Sequence, residues 1–179
     1  MIGHSMNPKA LNGLDVEAMR MAVATVGAQP EAARARKAAR VRWVERLKFR
    51  AYVRNHTFEV DEPSHLAGED ASPTSMEYVL GALGTCLATG FVFNATQRGI
   101  SIRNLEVALE SAQDNYFTFL GLAADGHPGF DEVAVKLYVQ ADAEEAVIRE
   151  VWEHTVRTAP VGNSLGRSVT IRAEVDVVP

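Results

Sequence analysis

Between Ser72 and Gly99 the chain reads SPTSMEYVLGALGTCLATGFVFNATQRG, and the fold class turns on how that stretch is folded. Thr74 and Glu77 stand at capping-box spacing with Pro73 just ahead of them, so a helix opens here and runs to near Gly99. From Tyr78 to Phe93 sixteen residues carry no charge, short of the roughly 20 that a membrane-spanning helix needs. The segment therefore reads as a buried central helix. Its small residues, among them Gly81, Ala82, Gly84, Ala88 and Gly90, let other backbones come close on most sides.

The pattern on either side of this helix is mixed. Asp15 can cap a helix carrying Ala18, Met19, Ala22, Val23 and Val26, stopped by Gly27 and Pro30, and the Ala/Arg-rich run Glu31 to Ala39 favours a second helical piece. From Val41 rough alternation predicts antiparallel strands to about Val60, with a turn near Arg54-Asn55-His56. Beyond the helix, Ile102 to Glu110 and Val133 to Val139 read as strands separated by a polar stretch with turns at Asp125-Gly126 and His127-Pro128-Gly129. Asp142 and Glu145 repeat the capping-box spacing ahead of a helix bearing Val147, Ile148, Val151, Trp152 and Val156, which stops before Pro160; Val169 to Val177 reads as a last strand. Strands, long helix, strands, helix, strand is an α+β order, divided here into a helical extension over residues 1–39 and an α+β domain over residues 40–179.

At 179 residues the chain can bury a core without disulfides or metals, and its lone cysteine, Cys86, rules out an intrachain disulfide and suits a cytoplasmic protein. No apolar run near the N-terminus has the form of a signal peptide. The net charge of −5 argues against a polyanion partner for the whole chain. Residues 34–50 nevertheless hold eight Lys and Arg, interleaved with Trp43 and Phe49. That run is compatible with a nucleic-acid or partner-docking arm, or with a solvated strand face plus one or two inward arginines; no recognition helix or RNP pattern supports the former, and nucleic acid is not expected as a partner. The five histidines show no metal-ligand spacing and no glycine loop has phosphate-binding form, so neither a metal nor a cofactor is expected.

Cys86 is the first candidate for chemistry, because a thiolate is the strongest nucleophile in the chain. A lone cysteine in so apolar a helix also reads as a small core hydrophobe. Burial raises a thiol pKa, so a reactive Cys86 requires a nearby cation or donor.

The run Gly68 to Cys86, with Pro73-Thr74 and Glu77 leading to Ala82-Leu83 and Cys86, resembles the signature helix of the OsmC/Ohr family. Arg98-Gly99-Ile100, His127-Pro128-Gly129-Phe130 and Pro160-Val161 are similar to later family motifs, so the resemblance covers about residues 40–177. It implies an OsmC-like fold in which antiparallel sheets wrap long central helices of an intertwined homodimer, and a peroxidase that reduces organic hydroperoxides. Cys86 matches the peroxidatic cysteine. Arg50 is the best match to the arginine that stabilises the thiolate, with Arg42 and Arg54 as other possibilities, and Glu77 looks like the glutamate that holds it. The family's resolving cysteine is replaced by Ala159, which implies a one-cysteine cycle completed by an external thiol or dithiol reductant. The competing reading is a non-catalytic protein that keeps the apolar dimer cleft for a small lipophilic ligand.

Overall fold

The computed structural model describes residues 10–178. An Asn12-Gly13 turn, with both residues at positive φ, joins the short strands β1 (Ala10–Leu11) and β2 (Leu14–Asp15). Helix α1 (Val16–Gly27) follows, its first turn capped by the Asp15 carboxylate, which accepts from Ala18 N as the sequence predicts. The second helical piece expected over Glu31–Ala39 is reduced to one 3₁₀ turn, Pro30–Ala33. Packing does not rescue the Ala/Arg run: none of its residues is buried, and a short isolated helix is marginal in water.

Strands β3 (Arg40–Glu45), β4 (Lys48–Val53) and β5 (His56–Val60) form an antiparallel meander, turning at Arg46-Leu47 and at Arg54-Asn55. It is lightly attached. The Phe58 ring lies 4.8 Å from that of Tyr78, and Arg46 reaches Glu69 and the Ala67 carbonyl. Only Ala51 of this sheet is buried, and Val41 and Trp43 stand open to solvent.

Helix α2 (Ser75–Gln97) starts with a complete capping box: Thr74 Oγ1 accepts from Glu77 N while Glu77 Oε2 accepts from Thr74 N. It is long and apolar enough to cross a membrane, but one face is packed within the fold. Leu83, Leu87, Phe91 and Ala95 lie buried there against β6 (Ile102–Gln113), α4 (Glu145–Thr158) and α5 (Pro160–Leu165). The second sheet is the long antiparallel hairpin of β6 and β7 (Phe130–Ala141), which sends Leu105, Leu109, Val133, Val135, Leu137 and Val139 toward this core. Gly84 is the point of closest approach, since a Cβ there would meet Leu109 Cδ1 at 2.6 Å.

Several elements differ from expectation. The polar stretch between β6 and β7 carries a helical turn, α3 (Tyr116–Phe119). The N-cap of helix α4 is Glu144, which makes no side-chain capping bond, so the Asp142/Glu145 capping box does not form. Pro160 ends α4 but also opens α5, as proline suits a first helical position. Val169 to Val177 pairs with no strand among the described residues. The alternation is real, but an edge strand needs a neighbour and the described residues offer it none; Ile171, Val175 and Val177 are 85–92% exposed.

Candidate functional site

Helix α2 has a second face that the fold leaves open. Cys86 sits at its edge, half-buried, leaning on the cluster of Leu83, Leu87 and Ala159. It lines an open cleft of about 500 Å³ whose other walls include Ala82, Thr89, Gly90, Phe93 and Pro160. The side chains around the sulfur are small or apolar, so the cleft admits an apolar molecule and offers it one nucleophile.

Ala159 occupies an informative place. It is buried at the joint between α4 and α5, its carbonyl accepts from both the backbone and the side chain of Asn163, and it packs in the cluster that Cys86 also joins. The position at which the resemblance expects the second thiol therefore belongs to the same cluster as Cys86.

The remaining expected site residues are not gathered around Cys86 within one chain. Arg50 lies on β4, opposite Glu59 on β5, and donates to Glu59 Oε1 at 2.6 and 3.1 Å. The Glu59 hydrogen bond, with a smaller contribution from Tyr52, raises the Arg50 pKa further, and the Arg50 hydrogen bond holds the Glu59 carboxyl below the usual carboxylate range. Arg42 pairs across the ladder with Arg50, and Arg54 takes up the β4–β5 turn. Glu77, nine residues before Cys86 and so about 14 Å away along the helix axis, uses one carboxylate oxygen, Oε2, in the cap. None of these side chains lines the Cys86 cleft. Among the described residues there is no cluster of His, Cys, Asp and Glu able to hold a metal ion.

A second constellation escaped the sequence reading. Asp61, 1% exposed, accepts from the backbone N–H groups of Glu62, Glu69 and Ala71 and so ties a loop that runs from β5 to α2. Burial pushes its carboxyl pKa up, but these three donors outweigh burial and hold it below the ordinary value. The adjoining Glu62 goes the other way: burial first, then the charges of Asp61 and Glu77, raise its pKa. The only sequence signal was the acidic pair itself in a Pro/Ser/Gly loop, which is indistinguishable from a solvated turn.

Comparison with known proteins agrees with the architecture. Among curated proteins none matches the sequence. The structure is similar to that of an OsmC-like protein from Mycoplasma pneumoniae, with TM-score 0.63 and 16% identity over 74% of this chain and 88% of that one. It is also similar to an organic hydroperoxide resistance protein OsmC from Legionella pneumophila, with TM-score 0.55 and 13% identity over 73% and 89% of the two chains. An organic hydroperoxide resistance protein from Elizabethkingia anophelis has TM-score 0.52 and 14% identity over 73% and 88%. At such identities the likeness is one of fold. The sequence itself decides the family: residues 68–174, more than half of the chain and spanning α2, both strands of the long hairpin, α4 and α5, match the model of the OsmC-like proteins, and the chain belongs to that family.

Proposed function

We propose that the protein reduces organic hydroperoxides through Cys86, as part of a defence against peroxide stress, and works as a homodimer in a reducing, cytoplasmic setting. The observation that carries this reading is the position of Cys86: half-buried, at the wall of an open apolar cleft, on the unpartnered face of the family's signature helix. A second copy supplies what one chain lacks. Its β3–β5 sheet brings an arginine, Arg50 in our assignment, toward the sulfur, and Glu77 orients that guanidinium from the head of α2. Residues 1–39 form an extension to the OsmC-like domain of residues 40–179.

In the reaction the Cys86 thiolate attacks one peroxide oxygen, the O–O bond breaks, and an alkoxide leaves and takes a proton to become the alcohol. Sulfur is oxidised to the sulfenic acid as the peroxide is reduced. The guanidinium favours the thiolate beforehand and the alkoxide charge during the step, while the apolar walls favour organic over very polar peroxides. Because Ala159 is not a thiol, an external thiol condenses with the sulfenic acid, releasing water and leaving a mixed disulfide; a second thiol then exchanges with it to regenerate Cys86.

The test is consumption of cumene hydroperoxide by the full-length protein with dithiothreitol as reductant. Turnover is expected to vanish in Cys86→Ser and to fall about a hundredfold in Arg50→Ala, the scale of losing one preorganised donor to a developing oxyanion. Unchanged consumption in Cys86→Ser overturns the reading. Ala159 also supports a second one, a cleft that holds a small lipophilic ligand without turnover; a copurifying ligand together with a Cys86 that resists alkylation favours it.

A further inference from the structure

Another cavity, of about 580 Å³, lies where the 61–71 loop, the first turn of α2, α3 and the approach to β7 meet. It shares no lining residue with the Cys86 cleft. Its walls include Leu66, Met76, Tyr116 and Phe119, and its titratable lining groups are Glu62, His65 and Tyr116; no lysine or arginine lines it. The Tyr116 and Phe119 ring centroids stand 5.5 Å apart, and Phe119 is 68% exposed, so an open ring face is available to a ligand.

Glu62 is the unusual member. Among the described residues its half-buried carboxylate has no hydrogen-bond donor and no cationic partner; the charges that bear on it are Asp61 and Glu77, both acidic. The loop that carries it is rigidly built. Asp61 ties it through three backbone donors, the Glu62 carbonyl accepts from Asp70 N, and Gly68 packs so close that a Cβ would sit 1.6 Å from the Glu62 carbonyl oxygen. A side chain this uncompensated, on a backbone this constrained, lacks a positive charge that no described residue brings.

We propose that this cavity binds a small organic ammonium ion with an apolar body: the charged nitrogen sits between the Glu62 carboxylate and the Tyr116 and Phe119 rings, and the hydrocarbon part lies against Leu66 and Met76. Carboxylate and aromatic faces attract the same cation, one through its charge and the other through the ring quadrupole. The volume is in the range that encloses a small ligand.

Calorimetric titration of the full-length protein with phenethylammonium, 2-phenylethanol and phenylacetate at pH 7.5 tests this. Phenethylammonium is expected to bind saturably, at least tenfold more tightly than the neutral alcohol, and phenylacetate more weakly still. Glu62→Gln is expected to bring the ammonium down to the level of the alcohol, and Phe119→Ala, an exposed position that leaves the fold intact, to weaken it severalfold. Cys86→Ser leaves the binding unchanged, so the outcome is independent of the peroxidase reading. No binding of phenethylammonium, as when a second copy fills the cavity, overturns the proposal. So does equal binding of the alcohol, or an ammonium affinity indifferent to both Glu62→Gln and Phe119→Ala.

Discussion

Asp61 keeps a negative charge almost out of water, and three backbone N–H groups make that tolerable. Because its folded pKa lies below the unfolded value of about 3.9, the charged form favours the native state; the contribution is present above that value and is lost as pH falls through the lower, folded one. Asp61→Ala is expected to lower Tm at pH 7, and the gap to the parent protein to narrow in melts below about pH 4. A gap that stays constant down to pH 3 contradicts this assignment. Asn12 is a second such residue. Its Nδ2 donates to Thr96 Oγ1 and the Ile100 carbonyl, and its Oδ1 accepts from Ile102 N, so one side chain fastens the N-terminal hairpin to the end of α2 and the start of β6. Asn12→Ala takes this partner from the Ile100 carbonyl and Ile102 N, while Thr96 Oγ1 keeps its bond to the Val92 carbonyl, and is expected to cost about 1–3 kcal/mol in denaturant unfolding.

Among the elements, α2 was the most legible, because its capping box, its proline and its apolar run all pointed one way. The hairpin of β6 and β7 followed from period-two alternation, although both strands extend past the expected ends because each continues as long as the other gives it a partner. Where the sequence misled, one local cue stood alone. Asp142 and Glu145 had cap spacing, yet the N-cap of α4 falls two residues beyond Asp142, at Glu144, and the cue for α3 was missing from a stretch rich in turn formers. The place of Cys86 on α2 and the alanine at 159 were read from the motifs, whereas their packing in one cluster required the fold, and the Glu62 cavity, assembled from four separate segments, had no sequence signature at all. The packing of α2 gives two tests. Gly84→Val drives a side chain into Leu109 and is expected to destabilise by about 1–3 kcal/mol. Ala159→Cys places a thiol in the Cys86 cluster; peroxide treatment is expected to consume both thiols and leave an intramolecular disulfide, seen in intact mass under non-reducing conditions.

For the whole molecule, the surface is out of proportion to the mass. A chain of 19.5 kDa exposing 14075 Å² far exceeds the about 8,500 Å² of a compact monomer of that size. Open features already met contribute to the excess: the Val41 and Trp43 side chains of the β3–β5 sheet, the Cys86 side of α2 and the alternating C-terminal stretch. The proposed homodimer would cover them. Light scattering is expected to give twice the chain mass, with a Tm that rises with protein concentration, and deletion of residues 167–179 is expected to return the particle toward a single chain. A concentration-independent Tm with a monomer mass overturns the dimer.

The stretch from Val169 to Val178 has one more consequence, for the life of a newly made chain. In the proposed homodimer, a copy that has yet to meet its twin trails a row of bare valine and isoleucine that no described strand pairs with, which is the kind of surface that also recruits strangers. Correct pairing and clumping are then both encounters between two molecules, so diluting a refolding mixture slows the useful event along with the harmful one. What decides the yield is how selectively that tail recognises its own kind.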